Sequence, residues 1–298
     1  MSKDDLVLSA RPPFSLSSVV KSHGWARLAP FSIDSQTDGL TYIYRLDSGH
    51  VVEMLIQEAS DGVSIEVDGQ LNEVECDEVT RKVEYMLGLE QDFNDFYMLA
   101  RGEPKLANME ERAQGRLLRC PTLFEDVVKT ILTTNTMWAG TIRMVEKLVH
   151  QFGDPLSADP TRHAFPTAEQ LAATDEDALR STVRLGYRAP YVLELARDVA
   201  SSTFDLESLK TVDIPTIQLR KRLLSIKGVG GYAAANLLMI LGRYDFVPID
   251  TWALKMVSHE WHGGEQVGQA EVEAAFERWE EWKGLAYWFW DWSYVGED

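Results

Sequence analysis

Residues 216–257 read TIQLRKRLLSIKGVGGYAAANLLMILGRYDFVPIDTWALKMV. The stretch divides into a basic helix, the tight turn Lys227-Gly228-Val229-Gly230, an apolar helix, a loop with Pro248, and a third helix carrying Trp252, Ala253, Met256 and Val257. Two glycines flanking a small apolar residue let the chain turn sharply, with N–H groups facing outward at the positive end of the next helix. Such a turn suits a phosphate, although a plain interhelical connection would read the same way. Asp250 adds a second mark, twenty residues beyond Gly230 in the N-cap position of the third helix. An ordinary cap worth about 1 kcal/mol would use the same residue. The alternative is that a carboxylate at a helix N-terminus, where negative charge is favoured, stabilises a developing cation or orients a water.

Working outward, the first hundred residues alternate in the strand manner. Val63, Ile65 and Val67 follow the turn Ser60-Asp61-Gly62 and form a hairpin with the apolar run Val51 to Ile56, and Leu40 to Leu46 supplies another strand. From about residue 90 the pattern turns helical. Phe124, Val127, Val128, Ile131 and Leu132 make one amphipathic stripe, and Ile142, Val145, Leu148, Val149 and Phe152 the next. A loop with Pro155, Pro160 and Pro166 precedes helices over 167–182 and 189–201. A final helix over 271–295 holds Trp279, Trp282, Trp288, Trp290 and Trp292. The fold class is mainly α with an α+β N-terminal domain. A small antiparallel-sheet domain covers residues 1–110 and a helical domain 111–298, whose C-terminal helix can pack back on the first domain.

The chain has 298 residues, 45% of them hydrophobic, which excludes a mainly disordered protein. Apolar runs such as Leu237 to Leu241 fall far short of the roughly 20 residues of a membrane span. Asp4 and Asp5 stand where a secretory leader has positive charge, so the sequence reads as intracellular, in cytoplasm, nucleoid or nucleus. Two cysteines, Cys76 and Cys120, cannot ligate an iron-sulfur cluster by themselves, and His259 and His262 have no further ligands near them in sequence. No metal or cofactor is therefore expected. The net charge of −18 argues against a polyanionic partner, but it is uneven. Residues 1–110 carry 9 basic and 20 acidic side chains and residues 257–298 carry 2 and 10, whereas 111–256 carry 18 and 17. With screening over roughly 8 Å, the local field of the middle segment governs, and DNA stays a permitted partner.

Hairpin, spacing and the VPID loop together resemble the helix-hairpin-helix superfamily of base-excision DNA glycosylases. The resemblance extends to LLRCPTLFEDVVKTILTTNTMWAGTIRMVEKLVHQFG (117–153) and FPTAEQLAATDEDALRSTVRLGYRAPYV (165–192), which look like helices of the 8-oxoguanine and alkylpurine branches. It covers 111–295 well and the first 110 residues loosely. The endonuclease-like branch, with its cysteine-ligated cluster, is excluded because residues 121–298 contain no cysteine.

The resemblance implies an enzyme in which Asp250 supports departure of a damaged base through an oxocarbenium-like transition state. Strand-cleaving members place a lysine two residues after the second hairpin glycine; Tyr232 stands there, and a phenol forms no imine. A monofunctional glycosylase using water follows. Lys227, where the family usually has proline, together with Gly228, Val229 and Gly230 would contact a DNA phosphate. Tyr232, Asn236, Tyr287, Trp288 and Asp291 would line the base pocket. Asn135 would fill the gap left by the extruded nucleotide, Met137 or Trp138 would wedge the helix, and Tyr187 with Arg188 would contact the opposite base. Gly140 and Asn236 replace an arginine and a cysteine of the 8-oxoguanine branch, so an alkylated purine is the expected lesion. The partner is damaged double-stranded DNA, bound by a monomer. Alternatives are an oxidised or deaminated base, or a non-catalytic module of the same fold that binds lesions or DNA.

Overall fold

The computed structural model describes residues 4–291. In chain order its elements are β1 (Asp4–Ser9), α1 (Leu16–Val20), β2 (Phe31–Ile33), β3 (Leu40–Arg45), β4 (Val51–Ala59), β5 (Gly62–Val67), α2 (Glu73–Leu87) and α3 (Asn94–Ala100). Then come α4 (Leu123–Thr133), α5 (Trp138–Phe152), β6 (Pro155–Leu156), β7 (Asp159–His163), α6 (Ala168–Ala172) and α7 (Ala189–Ala200). The chain closes with α8 (Thr216–Leu224), α9 (Gly231–Ile240), α10 (Thr251–Trp261), α11 (Gln269–Phe276) and α12 (Lys283–Phe289). An antiparallel five-stranded sheet thus precedes a helical region, as the pattern predicts. None of the described helices is long and apolar enough to cross a membrane.

Residues up to 91 and 116–210 form one compact unit. Its sheet has the order β1-β5-β4-β3-β2, with Ala59 opposite Gly62 in the β4–β5 hairpin. Alternation in β4 buries Val52, Met54 and Ile56 on one face. α4 is buried nearly all round, which brings charges into the core and obliges them to find partners. Lys129 Nζ lies 2.7 Å from Glu125 Oε1, and the Tyr42 hydroxyl donates to the same carboxylate. Asp126 accepts from Trp25 Nε1 at 2.7 Å and from the Cys120 amide at 3.1 Å. Buried Arg116 donates to the carbonyls of Arg11, Pro13, Gly88 and Gln91, tying the N-terminal segment to the end of α2.

Residues 92–115 join 211 onward in the second unit. Phe96 of α3 meets Trp279 at 6.1 Å and Trp282 at 5.4 Å, and Tyr244 stacks on Trp282 with an interplanar angle of 18°. Phe276 stands edge-on to Trp261, Tyr287 and Trp290, each at 5.5 Å. These units cut the chain differently from a boundary at residue 110, because the helices over 123–200 belong with the sheet and 92–115 belongs with the last helices.

Three expected elements differ. The proline loop after α5 contains the strand pair β6–β7, and Leu156 packs with Ile43 and Ala164. The helix expected over 167–182 stops at Ala172, and Asp175 Oδ1 then caps a new turn by accepting from the Ala178 amide at 2.7 Å. The helix expected over 271–295 breaks at Glu280 (φ 49°), between the two tryptophans that both reach Phe96. Trp292 lies outside the described residues.

Candidate active site

In the second unit, α8 and α9 are joined by the glycine turn. Gly228 has φ +87°, a conformation that costs any residue with a Cβ, and the Val229 amide donates to Ile226 O at 3.1 Å. Val229 is therefore an anchor: its side chain is buried and its N–H committed. Gly230 caps α9 without a side-chain hydrogen bond, and a Cβ built on it meets nothing within 4 Å. The first amides of α9 have no partner within the helix, the Cβ position of Gly230 ahead of them is open, and Lys227 of the same turn is exposed. Arg220 adds charge here, one guanidinium nitrogen lying 3.7 Å from the Cβ position of Gly231.

α9 carries Tyr232 and, one turn on, Asn236, whose Nδ2 donates to the Tyr232 carbonyl at 3.0 Å. α10 begins at Asp250, which is half-buried and accepts from the Ala253 amide at 2.8 Å, the cap geometry read from the sequence. The phenols of Tyr232 and Tyr287 both sense this carboxylate. Burial lifts each above the usual tyrosine range, and the negative charge of Asp250 lifts each further. Both phenols are therefore neutral donors at physiological pH. Asp250, Tyr232 and Tyr287 thus form one electrostatic group, drawn from three helices. Trp288 is half-buried on α12; Asp291 is exposed beyond it, and its carbonyl accepts from Lys105 Nζ at 3.1 Å. The tryptophans Trp279 and Trp290 are core residues.

One residue of this site escaped the sequence reading. Gly284 of α12 donates its N–H to Tyr244 O at 2.7 Å, and a Cβ there would come within 2.5 Å of Phe246 O. Glycine permits α12 to lie against residues 244–246, ahead of Asp250, which sets where Tyr287 stands. The small pair Gly284 and Ala286 was the available signal.

The first unit carries the other expected contacts. Asn135 has φ +47° and is exposed with Thr136 and Met137 at the turn between α4 and α5. Trp138 is held against Gly24, whose missing Cβ would lie 2.3 Å from its ring, so Met137, 79% exposed, is the protruding side chain. Arg188 is buried; it donates to the carbonyls of Thr134 and Asn135, and its guanidinium lies 4.5 Å over the Tyr187 ring. His259 and His262 are exposed, and among the described residues no group of three or more His, Cys, Asp or Glu side chains could hold a metal.

Over 198 residues the chain is 25% identical to a protein named "Probable N-glycosylase/DNA lyase" from Methanothermobacter thermautotrophicus, covering 60% of this chain and 62% of that one. Over 204 residues it is 25% identical to a "DNA-3-methyladenine glycosylase" from Bacillus subtilis, covering 66% and 64%. The chain thus spans less than two thirds of the length of either relative. A solved "3-methyladenine dna-glycosylase from Archaeoglobus fulgidus" shares the fold over 97% of each chain, with a TM-score of 0.72 at 22% identity. The model of the HhH-GPD superfamily base excision DNA repair proteins matches residues 128–281, a span that includes the glycine turn, Tyr232 and Asp250, and the chain belongs to that superfamily.

Proposed function

We infer that the protein is a DNA glycosylase that extrudes a damaged purine, an alkylated one foremost, and hydrolyses its bond to the sugar without cutting the strand. The observation carrying this reading is the capped carboxylate of Asp250, whose charge reaches two buried, neutral phenols, one of them at the position where a strand-cleaving relative needs an amine. The names of the relatives include both a 3-methyladenine glycosylase and a glycosylase/lyase, and Tyr232 favours the first.

Extrusion costs a few kcal/mol, least for a damaged base. Stacking on an aromatic side chain returns roughly 1–3 kcal/mol, and an electron-rich ring attracts a cationic alkylated purine. Tyr232, Tyr287 and Trp288 supply the rings, and the Asn236 amide and Asp291 the polar edge. As the bond from the base nitrogen to C1′ breaks, its electron pair leaves with the base and positive charge gathers on the sugar. Asp250 stabilises that charge while water forms the new bond to C1′ and passes its proton to the Asp250 carboxylate. Lys227, Gly228 and Gly230 grip a phosphate of damaged duplex DNA, and the protein acts as a monomer.

The test is base release from duplexes holding single 3-methyladenine-type, hypoxanthine, uracil or 8-oxoguanine lesions, developed with and without hot alkali. Breaks that appear only after alkali, and fall about 100- to 1,000-fold in Asp250→Asn, are the expected result. Equal release by Asp250→Asn would sink the assignment of Asp250. No release from any lesion by a folded protein would favour a binding module of this fold.

A further inference from the structure

The resemblance gives Arg188 the task of touching the base opposite the lesion. Its surroundings in the first unit describe a different task. The residue is 7% exposed, and one of its terminal nitrogens donates to two consecutive carbonyls, Thr134 O and Asn135 O, the latter at 3.1 Å. Its Nε is buried without an acceptor among the described residues. The neighbouring Tyr187 lies under the guanidinium at 4.5 Å and sends its hydroxyl to the same Thr134 carbonyl at 3.3 Å. Two side chains from one turn therefore converge on the Thr134 carbonyl, and Arg188 reaches the next one too, at the start of the exposed tip Asn135-Thr136-Met137.

That tip needs support. Asn135 holds φ +47°, a conformation that most residues avoid and asparagine tolerates. The Thr134 amide and hydroxyl both bond back to Ile131 O, ending α4, and the next anchor is the Met137 carbonyl, which accepts from Gly140 at 2.7 Å. Between them the backbone is open to solvent on the side of the tip. A guanidinium on the carbonyls of residues 134 and 135 fixes the one stretch that neither helix fixes. A Cβ on Gly140 would meet Thr136 Oγ1 at 2.5 Å, so a side chain there would push that hydroxyl aside.

We propose that Arg188 is a positioning residue, a brace that holds the loop of residues 134–137 in the shape that enters DNA, and that it does not read the opposite base. Resting on the glycosylase reading, this assigns the protein little preference among opposite bases. The position that could supply a second reading arginine is Gly140, and it has no side chain.

The experiment compares the wild-type protein, Arg188→Lys and Arg188→Ala in binding a fluorescein-labelled duplex with one tetrahydrofuran abasic-site analogue opposite A, C, G or T. A brace predicts wild-type affinities within about 3-fold across the four bases and a parallel loss of about 10-fold in both variants. A base reader predicts a preference of roughly 5- to 150-fold for one base, the worth of a bidentate contact, abolished by Arg188→Lys; that result overturns the proposal. Hydrogen exchange without DNA supplies the second readout. Amides of residues 135–141 should exchange at least about 10-fold faster in Arg188→Lys, a variant that keeps the charge and stem should Arg188→Ala not fold. Unchanged exchange would overturn the brace. Wild-type binding no tighter to the abasic duplex than to an intact one would instead count against the glycosylase reading, with exchange still deciding the role of Arg188.

Discussion

Replacing Gly230 by alanine separates folding from DNA contact. Gly230 sits at φ −91° and ψ −173°, a conformation open to any residue, and its Cβ position is empty to 4 Å. The free protein should lose only the modest preference for glycine over alanine at an N-cap, under about 1 kcal/mol. In a complex, a phosphate oxygen must come to about 2.9 Å from an α9 amide, and the new methyl group would occupy the approach. A hydrogen bond to a charged group is worth about 1.5–3 kcal/mol, so affinity should fall roughly 10- to 150-fold. Gly228→Ala is the converse: φ +87° imposes about 1–2 kcal/mol of backbone strain, which should appear in the folding equilibrium itself. Urea denaturation and fluorescence anisotropy on an abasic-site duplex measure the two quantities separately. Wild-type affinity in Gly230→Ala would refute the idea that phosphate approaches this turn.

Gly284→Ala should cost about 2–4 kcal/mol by denaturation, combining overpacking against two backbone oxygens with a stretched bond to Tyr244 O. Stability within 0.5 kcal/mol of wild type (~0.5 being the ordinary surface effect) would contradict the close approach. Tyr232→Lys should let borohydride trap a covalent complex on abasic DNA that wild type does not form; trapping of both proteins alike would show that the amine of another residue reaches the sugar. Asp126 and His23 pull the pH profile in opposite directions. Burial raises Asp126 from 3.8 to about 7, so its contribution to stability is complete at low pH and lost as pH rises through that range. Burial lowers His23 from 6.5 to about 4, so its contribution is lost as pH falls through that range. Asp126→Asn leaves His23 unopposed, and its Tm should drop more steeply than that of wild type between pH 6.5 and about 4.5; parallel profiles would contradict the buried, raised carboxyl.

Local chemistry made part of this molecule readable. Gly228 announces its left-handed turn because no other residue adopts one cheaply, and Asp250 announces a helix start because its side chain satisfies the Ala253 amide. The stripes of α4 and α5 and the alternation of β4 and β5 show which face is buried. They do not show against what. Nothing in the periodicity of residues 94–100 says that Phe96 meets Trp279 and Trp282, and the alternation of β4 does not reveal β1 as an edge strand of the same sheet. The charged residues Glu125, Asp126 and Lys129 lie off the apolar stripe of α4, and nothing in the sequence names their partners Tyr42 and Trp25. The two backbone carbonyls that hold Arg188 likewise leave no trace in a sequence.

The interleaving of the two units bears on how the chain is made. A ribosome delivers residues 92–115 while their unit is otherwise unsynthesised, and the aromatic partners of Phe96 emerge ~180 residues later. The sheet waits in its turn for the helices that end near residue 210. The second unit is completed only when its last helices emerge, so through most of translation α3 lacks the tryptophans that meet Phe96. Arg116 ties four carbonyls together where the chain re-enters the first unit and so closes that detour.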